Sequence, residues 1–300
     1  MREPFWIYQR RFVDRKVPLP IAKVYIYFLL VGLDYLHSEC RVVHSDLKLG
    51  NILVSFENEK VLTNFIKRQQ QMQYKVDRES GRTIYRCHND FGPLDVQGIK
   101  NMIPKIADFG VATIFDRPDT QDGMVGEQLG VYPIQPDFYR APEVILGCGW
   151  DFKADIWNFG VLLWNILGNK ELFQQVYDAD GKYDAKGHLA EMIALLGPPP
   201  KALLEKSKAM SKYNWPQPVR NATGKLCNNA QEFFGGPFFN ADEFCYNGSI
   251  PSRSLDDTAP FLEEKDREGF LSFVREMLNW LPEKRKTARE LMDHRFLKLE

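Results

Sequence analysis

Several features that would point to other classes of protein are missing from this sequence of 300 residues. It has five scattered cysteines and no C-x-x-C pair, which argues against structural zinc and for a reducing compartment. The formal net charge of -1 gives no electrostatic reason to expect nucleic acid or an anionic membrane as a partner. The longest apolar run, 24–33, is too short to span a bilayer. We therefore expect an intracellular protein, in the cytoplasm, the nucleus or both, without direct contact to membranes or nucleic acid.

A polar loop between two short apolar runs, in residues 42–54, is the first feature that indicates a function. Asp46, Lys48 and Asn51 bring one carboxylate, one ammonium group and one carboxamide at fixed offsets. Phosphoryl transfer needs these groups, since a carboxylate deprotonates an attacking hydroxyl, a cation neutralises the moving phosphoryl group, and an amide oxygen ligates Mg²⁺. The loop therefore predicts phosphoryl-transfer chemistry. Small-molecule kinases carry similar loops, so the loop alone does not decide the class of protein.

Three more blocks follow this loop along the chain. The apolar stretch 105–107 leads into Asp108-Phe109-Gly110, where Asp108 would supply a second metal ligand and the glycine would allow a sharp backbone turn. Ala141-Pro142-Glu143 comes next. The stretch 155–160, which reads Asp-Ile-Trp-Asn-Phe-Gly, then opens a run that is apolar on every face. Such a run predicts a helix in the core of the fold.

Two other stretches need an interpretation of their own. Residues 21–38 are apolar nearly all round and follow two prolines, so they predict a helix that is buried nearly all round. Asp90-Phe91-Gly92 repeats the Asp-Phe-Gly pattern, but it has no apolar strand before it and Pro93 directly after it. We therefore interpret residues 90–92 as a decoy and Asp108 as the metal ligand.

In this order, the four blocks are those of eukaryotic protein kinases, and the chain resembles the large, C-terminal lobe of such an enzyme over nearly all its length. The resemblance implies a mainly α (α+β) fold, with 1–300 forming the kinase domain (C-terminal lobe) and an insertion at about 56–103. It implies ATP and Mg²⁺ as cofactors, with Asp46 and Lys48 catalytic, Lys48, Asn51 and Asp108 binding the cofactor, and Asn51 and Asp108 holding the metal. Structural support is assigned to the residues that would hold these groups or brace the lobe: His44, Phe109, Gly110, Glu143, Asp155 and Arg285.

Within the kinases, the stretches 84–94 and 134–140 are most similar to fungal SR-protein-kinase-like enzymes. This resemblance implies transfer of the ATP γ-phosphate to Ser or Thr hydroxyls of protein substrates, with Arg/Ser-rich proteins as one candidate class. The positions that align with the acidic docking groove of SR-protein kinases hold no acids, since they read Asn169, Gly187 and Ala194.

Ser45 stands where many kinases have an arginine that pairs with a phosphate on the activation segment. The segment from Asp108 to Glu143 also has few candidate phosphosites, because Thr113 and Thr120 are its only hydroxyl residues besides tyrosines. We therefore expect activity that needs no such phosphate.

The chain departs from the kinase pattern upstream of the first block. Only 43 residues precede His44, and the nearest approach to G-x-G-x-x-G is Gly147-Cys148-Gly149, with Phe152 where the third glycine would be needed. We therefore expect most or all of the N-terminal lobe to be absent. Two functions remain open: a Ser/Thr protein kinase, or a non-catalytic remnant of a kinase lobe that acts as a protein-binding module. The oligomeric state is left open.

Overall fold

A computed structural model describes residues 1–69, 74–85, 90–115 and 128–299, so Thr120 lies outside the description. The α-helices in these ranges are α1 (Phe5–Gln9), α2 (Leu19–Ser38), α3 (Glu59–Gln69), α4 (Pro142–Ile145), α5 (Lys153–Gly168), α6 (Ala185–Leu196), α7 (Lys201–Met210), α8 (Ala230–Phe234), α9 (Glu264–Arg275) and α10 (Ala288–Met292). The strands are β1 (Glu3–Pro4), β2 (Val42–Val43), β3 (Ile52–Val54), β4 (Tyr74–Val76), β5 (Thr83–Tyr85), β6 (Pro104–Ile106), β7 (Thr113–Ile114), β8 (Val219–Arg220), β9 (Leu226–Cys227), β10 (Phe239–Asn240) and β11 (Glu243–Phe244). Helices dominate and the sheets are small, which confirms the predicted mainly α fold.

Short strands frame the residues 44–51, which we call the catalytic loop. β1, β3 and β6 form an antiparallel sheet with β3 in the centre, where Ile52 lies opposite Ile106. β2 and β7 form a separate antiparallel ladder, with Val43 opposite Thr113. The chain enters the loop from β2, leaves it through β3, and passes from β6 to β7 through residues 107–112. These two ladders therefore bring the catalytic loop and residues 107–112 side by side.

Helix α5 lies in the core, as its uniformly apolar sequence predicts. Every residue from Ala154 to Gly168 is buried. Trp164 packs against the ring of Phe270, and a Cβ atom on Gly168 would lie only 2.5 Å from the ring of Phe261. The helix ends at Asn169, which takes the left-handed conformation with φ 49°. The predicted core helix is confirmed.

Helix α2 is buried on one side only. That side packs against α5, α10 and β6. The other side carries four large side chains that are between 37% and 61% exposed: Tyr27, Phe28, Val31 and Tyr35. The prediction of burial nearly all round is therefore wrong for this side. Composition reports how apolar a helix is, whereas burial depends on which neighbours cover it, and the described residues leave this side partly uncovered.

The segment Val13–Ser38, which contains α2, is long and apolar enough to cross a membrane by length and composition alone. Its most apolar window has a mean hydropathy of 1.5, and 39% of that window is buried in this fold. The apolar character therefore extends beyond the run 24–33. Core helices meet the same criterion, so the absence of membrane contact stays a prediction.

The segment between β3 and β6 lies where the sequence predicts an insertion, and it contains α3, the β4–β5 hairpin and a 3₁₀ turn at Val96–Asn101. A buried ion pair ties it to the start of the chain, since Arg2 Nη1 donates to both carboxylate oxygens of Glu57 at 2.8 and 2.9 Å. Arg2 Nη2 also donates to the carbonyl of Gly92.

The second Asp-Phe-Gly sequence packs inside this segment. The ring of Phe91 lies 5.0 Å from that of Phe56 and 4.5 Å from that of Phe65. Gly92 has φ 80° and turns the chain beside Arg2. These packing roles account for the repeated pattern without assigning a metal to Asp90.

Glu143 in α4 and Arg285 near the C-terminus form a second buried ion pair. Arg285 donates to the two carboxylate oxygens at 2.7 and 2.6 Å, and neither side chain is exposed to solvent. The guanidinium also donates to the carbonyls of Lys153 and Asn279, both at 2.9 Å. The pair therefore connects α4, the start of α5 and the segment after α9 through a guanidinium in which each nitrogen donates at least one hydrogen bond.

Candidate active site

Asp155, in the first turn of α5, holds the start of the catalytic loop. Its Oδ2 accepts the backbone N–H of His44 at 2.7 Å, and its Oδ1 accepts that of Ser45 at 2.9 Å. One turn further along the helix, Asn158 Nδ2 donates to the carbonyl of Leu47 at 2.8 Å. Because α5 is buried along its length, these bonds attach the loop to the core of the fold.

His44 links the catalytic loop to the end of β6. Its Nδ1 accepts the backbone N–H of Asp46 at 3.2 Å, so Nε2 carries the proton and donates to the carbonyl of Ala107 at 3.0 Å. Its ring packs edge-on against Phe109, with 5.0 Å between the centroids. One neutral imidazole thus orients the backbone on both sides of the site.

Asp46, Lys48 and Asn51 form one hydrogen-bonded cluster. Lys48 Nζ lies 3.0 and 2.8 Å from the two carboxylate oxygens of Asp46. Asn51 Nδ2 donates to Oδ2 of Asp46 at 2.8 Å and to its backbone carbonyl at 2.9 Å. The side chain of Asp46 is 18% exposed and that of Lys48 42%. The cluster is therefore fixed at its base and open to a substrate at its surface.

Asn51 and Asp108 are the predicted metal ligands, and the backbone brings their segments together. The N–H of Ala107 donates to the carbonyl of Asn51 at 2.8 Å, directly before the exposed Asp108. Both acceptors bonded by Asn51 Nδ2 are oxygens, which leaves Oδ1 as the atom that a cation would bind. A carboxylate and an amide oxygen suit Mg²⁺, which is commonly held by one or two protein ligands together with phosphates and water.

An apolar surface adjoins this site. We call it the α2 face and define it by Phe28, Val31, Tyr35, Ile106 and Phe109, which line a cleft of about 300 Å³. Phe109 is 46% exposed although it belongs to the Asp-Phe-Gly block. The catalytic cluster and a large uncovered apolar surface are therefore neighbours in this fold.

The structure brings together most of the residues that the sequence singled out. Residues of the catalytic loop, Asp155 and the Asp108-Phe109-Gly110 block meet at one site, whereas Glu143 and Arg285 lie in a separate buried pair. Sequence reasoning missed His37, whose Nε2 lies 3.0 Å from Oδ2 of Asp155, and it missed Asn158. Neither residue type stands out in an apolar helix without knowledge of what the helix faces.

The protein kinase domain family matches residues 87–297, which is more than half of the chain. The chain therefore belongs to the protein kinase family. The catalytic loop precedes the matched range, but similarity to individual kinases extends across it.

Two curated relatives cover most of the chain. A serine/threonine protein kinase of Aspergillus fumigatus is 33% identical over 287 residues, which are 95% of this chain and 60% of the relative. The serine/threonine-protein kinase SRPK of Physarum polycephalum is 28% identical over 295 residues, which are 94% of this chain and 61% of the relative. The chain thus spans about three fifths of the length of these relatives.

A solved kinase domain shares the fold. Its crystal structure aligns with 99% of this chain and 71% of its own, with a TM-score of 0.57 and 23% identity. At that identity the likeness supports the fold alone.

Proposed function

We propose that this chain forms the C-terminal lobe of a serine/threonine protein kinase in which Asp46 activates the substrate hydroxyl. The observation that carries the proposal is the cluster of Asp46, Lys48 and Asn51, anchored on buried Asp155 and open to solvent. The relatives support protein substrates and an SR-like subclass, with Arg/Ser-rich proteins as one candidate. We also propose that the protein acts inside the cell, in the cytoplasm or the nucleus, without contacting nucleic acid or membranes directly.

In the proposed reaction, the oxygen of a Ser or Thr hydroxyl forms a bond to the γ-phosphorus while the bond from that phosphorus to the leaving oxygen of ADP breaks. Asp46 takes the hydroxyl proton, and Lys48 places a positive charge beside the transferred group. Asn51 and Asp108 would hold Mg²⁺, which supplies charge neutralisation at the phosphates when it is bound.

The α2 face supports the assignment of this chain to one lobe of a larger folded unit. Exposed apolar surface beside a functional site marks a surface that another body covers. In the described residues, the sheets have only two or three strands each. These small sheets do not form a layer over Asp108, so the cover of a nucleotide bound there would come from outside the described ranges. We propose that a second lobe, from the same protein or from a partner, covers the α2 face and completes the nucleotide site.

A second candidate function is a non-catalytic protein-binding module. The exposed side of α2 favours it, because this side offers a partner four large apolar side chains. The two functions differ in whether the chain binds Mg-ATP.

A titration with Mg-ATP decides between them. We expect the 300-residue chain by itself to bind Mg-ATP only weakly, in the millimolar range, because the proposed second lobe that completes the site is not in the assay, and Asp108→Asn to abolish this binding because it removes a metal ligand. Asp180→Asn, at an exposed turn, is the matched control and should bind like the wild type. No binding to the wild type at millimolar nucleotide would contradict activity of this chain by itself and favour the binding module.

A further inference from the structure

A groove lies between the start of α2 and the insertion, and the proposed chemistry makes no use of it. One wall comes from Phe12 and from Ile21 and Val24 of α2, and the other from Leu94 and Lys100 of the insertion. We call it the insertion groove and define it by these five residues. Its volume is about 1050 Å³, as large as the largest usual ligand pockets, which reach about 1,000 Å³. Among the described residues that line it, none belongs to the α2 face or to the catalytic cluster.

Contacts of Glu57 hold the insertion wall of this groove in place. Its carboxylate accepts the buried bonds from Arg2, and its Oε1 also lies 3.4 Å from the backbone nitrogen of Asp95, which donates to it. Gly98 packs so closely that a Cβ atom there would lie 2.8 Å from the Cβ atom of Glu57. The insertion wall is therefore preformed, and a ligand would not have to order it on binding.

The lining of the groove is mainly apolar. Among the described residues, nine of the twelve that line it are apolar and none is acidic. Three of these apolar residues are Pro18, Pro20 and Pro93, which have no backbone N–H to donate. A peptide bound here would therefore be recognised through its apolar side chains and not by adding a strand to a sheet. Exposed apolar surface of this size marks an interaction site.

The charged side chains that line the groove, Arg11 and Lys100, are both cations. Arg11 already has a counter-ion, since it donates to both carboxylate oxygens of Glu3. Lys100 is exposed and forms no ion pair with the described residues. The acid on the same wall, Asp95, accepts a backbone N–H at the start of the 3₁₀ turn that ends near Lys100. The insertion wall therefore offers a ligand the positive charge of Lys100.

The opposite wall adds positive charge at the start of α2. The first turn of this helix has no acidic residue, and its N-cap, Pro18, forms no side-chain capping bond. The positive end of the helix dipole is therefore uncompensated there. On the turn before it, the exposed Arg15 and Lys16 outnumber the exposed Asp14. Both walls of this apolar groove thus favour an anionic ligand.

We propose that the insertion groove is a docking site for a linear segment of a partner protein in which acidic side chains alternate with large apolar ones. The apolar side chains fill the space between α2 and the insertion, and the carboxylates lie beside Lys100 and the start of α2. The inference goes beyond the proposed function, since this binding needs neither ATP nor Asp46. The ligand is opposite in charge to the Arg/Ser-rich proteins considered for the catalytic cluster, so we expect the two to bind independently.

Fluorescence anisotropy with the nucleotide-free 300-residue chain tests the docking site. The probe is a short labelled peptide in which Asp and Glu alternate with Leu and Phe, and its counterpart carries Lys in place of each acid. We expect the acidic peptide to bind with a Kd in the micromolar range and the Lys peptide to bind about tenfold more weakly or less, because its charges repel Lys100.

Charge reversal at the groove gives the first comparison of variants. Lys100→Glu should weaken binding of the acidic peptide about tenfold, because it replaces an attraction by a repulsion. Lys284→Glu is the matched control and should bind like the wild type. Lys284 is also an exposed lysine in the last turn of a 3₁₀ helix, so both variants change the net charge equally.

A second variant tests the apolar wall. Leu94→Ala shortens a half-buried side chain of the groove and should weaken binding of the acidic peptide about tenfold. Leu226→Ala, at a leucine that is 51% exposed outside the groove, should leave the Kd unchanged. Circular dichroism of both variants checks that they remain folded.

Three results would overturn the docking site. Equal weakening by Lys100→Glu and Lys284→Glu would show attraction to net charge without a defined site. Absence of binding at millimolar peptide would exclude the proposed ligand. A dimer in size-exclusion chromatography that Leu94→Ala converts to a monomer would show that a second copy of the chain fills the groove. Asp108→Asn should leave the Kd of the peptide unchanged, which separates this test from that of the proposed function.

Discussion

Two ion pairs with nearly equal distances have opposite surroundings in this protein. Lys48 lies 2.8 Å from Asp46, with the side chains 42% and 18% exposed, whereas Arg285 lies 2.6 Å from Glu143 with both side chains fully buried. The first pair sits in an open cluster where a substrate could displace or share its charges. The second is enclosed, and its guanidinium also donates to two backbone carbonyls. The distance alone does not distinguish a catalytic ion pair from a structural one, whereas the exposure of the side chains and their other hydrogen bonds do.

The largest effect is expected at the exposed pair, in catalysis. Asp46→Asn removes the proposed base, and phosphotransfer to a basic protein substrate should fall by about 10³-fold. The free energy of unfolding should change by about 1 kcal/mol, since Asn nearly matches Asp in size and Lys48, which loses its counter-ion, is 42% exposed. Radiolabelled phosphate incorporation and urea unfolding measure the two quantities. An Asp46→Asn protein that keeps most of its activity would remove Asp46 from the role of base.

The buried pair should show the reverse behaviour. Glu143→Gln leaves the Arg285 guanidinium buried without its counter-ion, which should lower the free energy of unfolding by about 3–5 kcal/mol. Lys48→Met breaks the exposed pair and should cost at most about 1 kcal/mol. Chemical denaturation of both variants gives the comparison. Equal losses would show that burial does not distinguish the two pairs.

A smaller effect is expected from a buried histidine outside the site. Burial, with the charge of Arg140 as a second cause, lowers the pKa of His188 well below its ordinary value of 6.5. Below about pH 6.5, this histidine therefore binds a proton in the unfolded chain but not in the folded protein. The free energy of unfolding consequently falls as the pH drops, by up to about 1.4 kcal/mol per pH unit. Unfolding between pH 7 and 5 should show this slope.

His188→Gln should flatten that dependence, because it removes the group that titrates only in the unfolded chain. His294→Gln is the matched control: burial also lowers the pKa of His294, but less strongly, and this variant should change the slope less. The same slope in His188→Gln as in the wild type would contradict the assignment.

Much of the site could be predicted because its residues follow one another in short, ordered blocks. The catalytic loop and the Asp108-Phe109-Gly110 block are local in sequence, and α5 is apolar on every face, so their structure follows from nearby residues. The hydrogen bond from Ser45 Oγ to the backbone carbonyl of Val111 could not be predicted in the same way. It joins positions 66 residues apart, and no local sequence pattern indicates that these two residues are in contact.

The surroundings of α2 and of the insertion illustrate the same limit. The sequence predicts the helix, but the partial exposure of Tyr35 depends on which elements pack beside it. The pair between Arg2 and Glu57 likewise connects the start of the chain to the segment after β3, although neither residue belongs to a recognisable motif. Long-range contacts of this kind arise from the folded arrangement and not from spacing.

By itself, the sequence determined the chemical groups, their order and the kinase resemblance. These follow from side-chain chemistry and local periodicity, which are properties of short stretches of residues. Only the tertiary structure decided which of those groups stand open and which are enclosed. Exposure depends on distant segments meeting, and it separates the open cluster at Asp46 from the buried pair at Glu143. The same physical reason makes α2 a core helix on one side and an uncovered surface on the other.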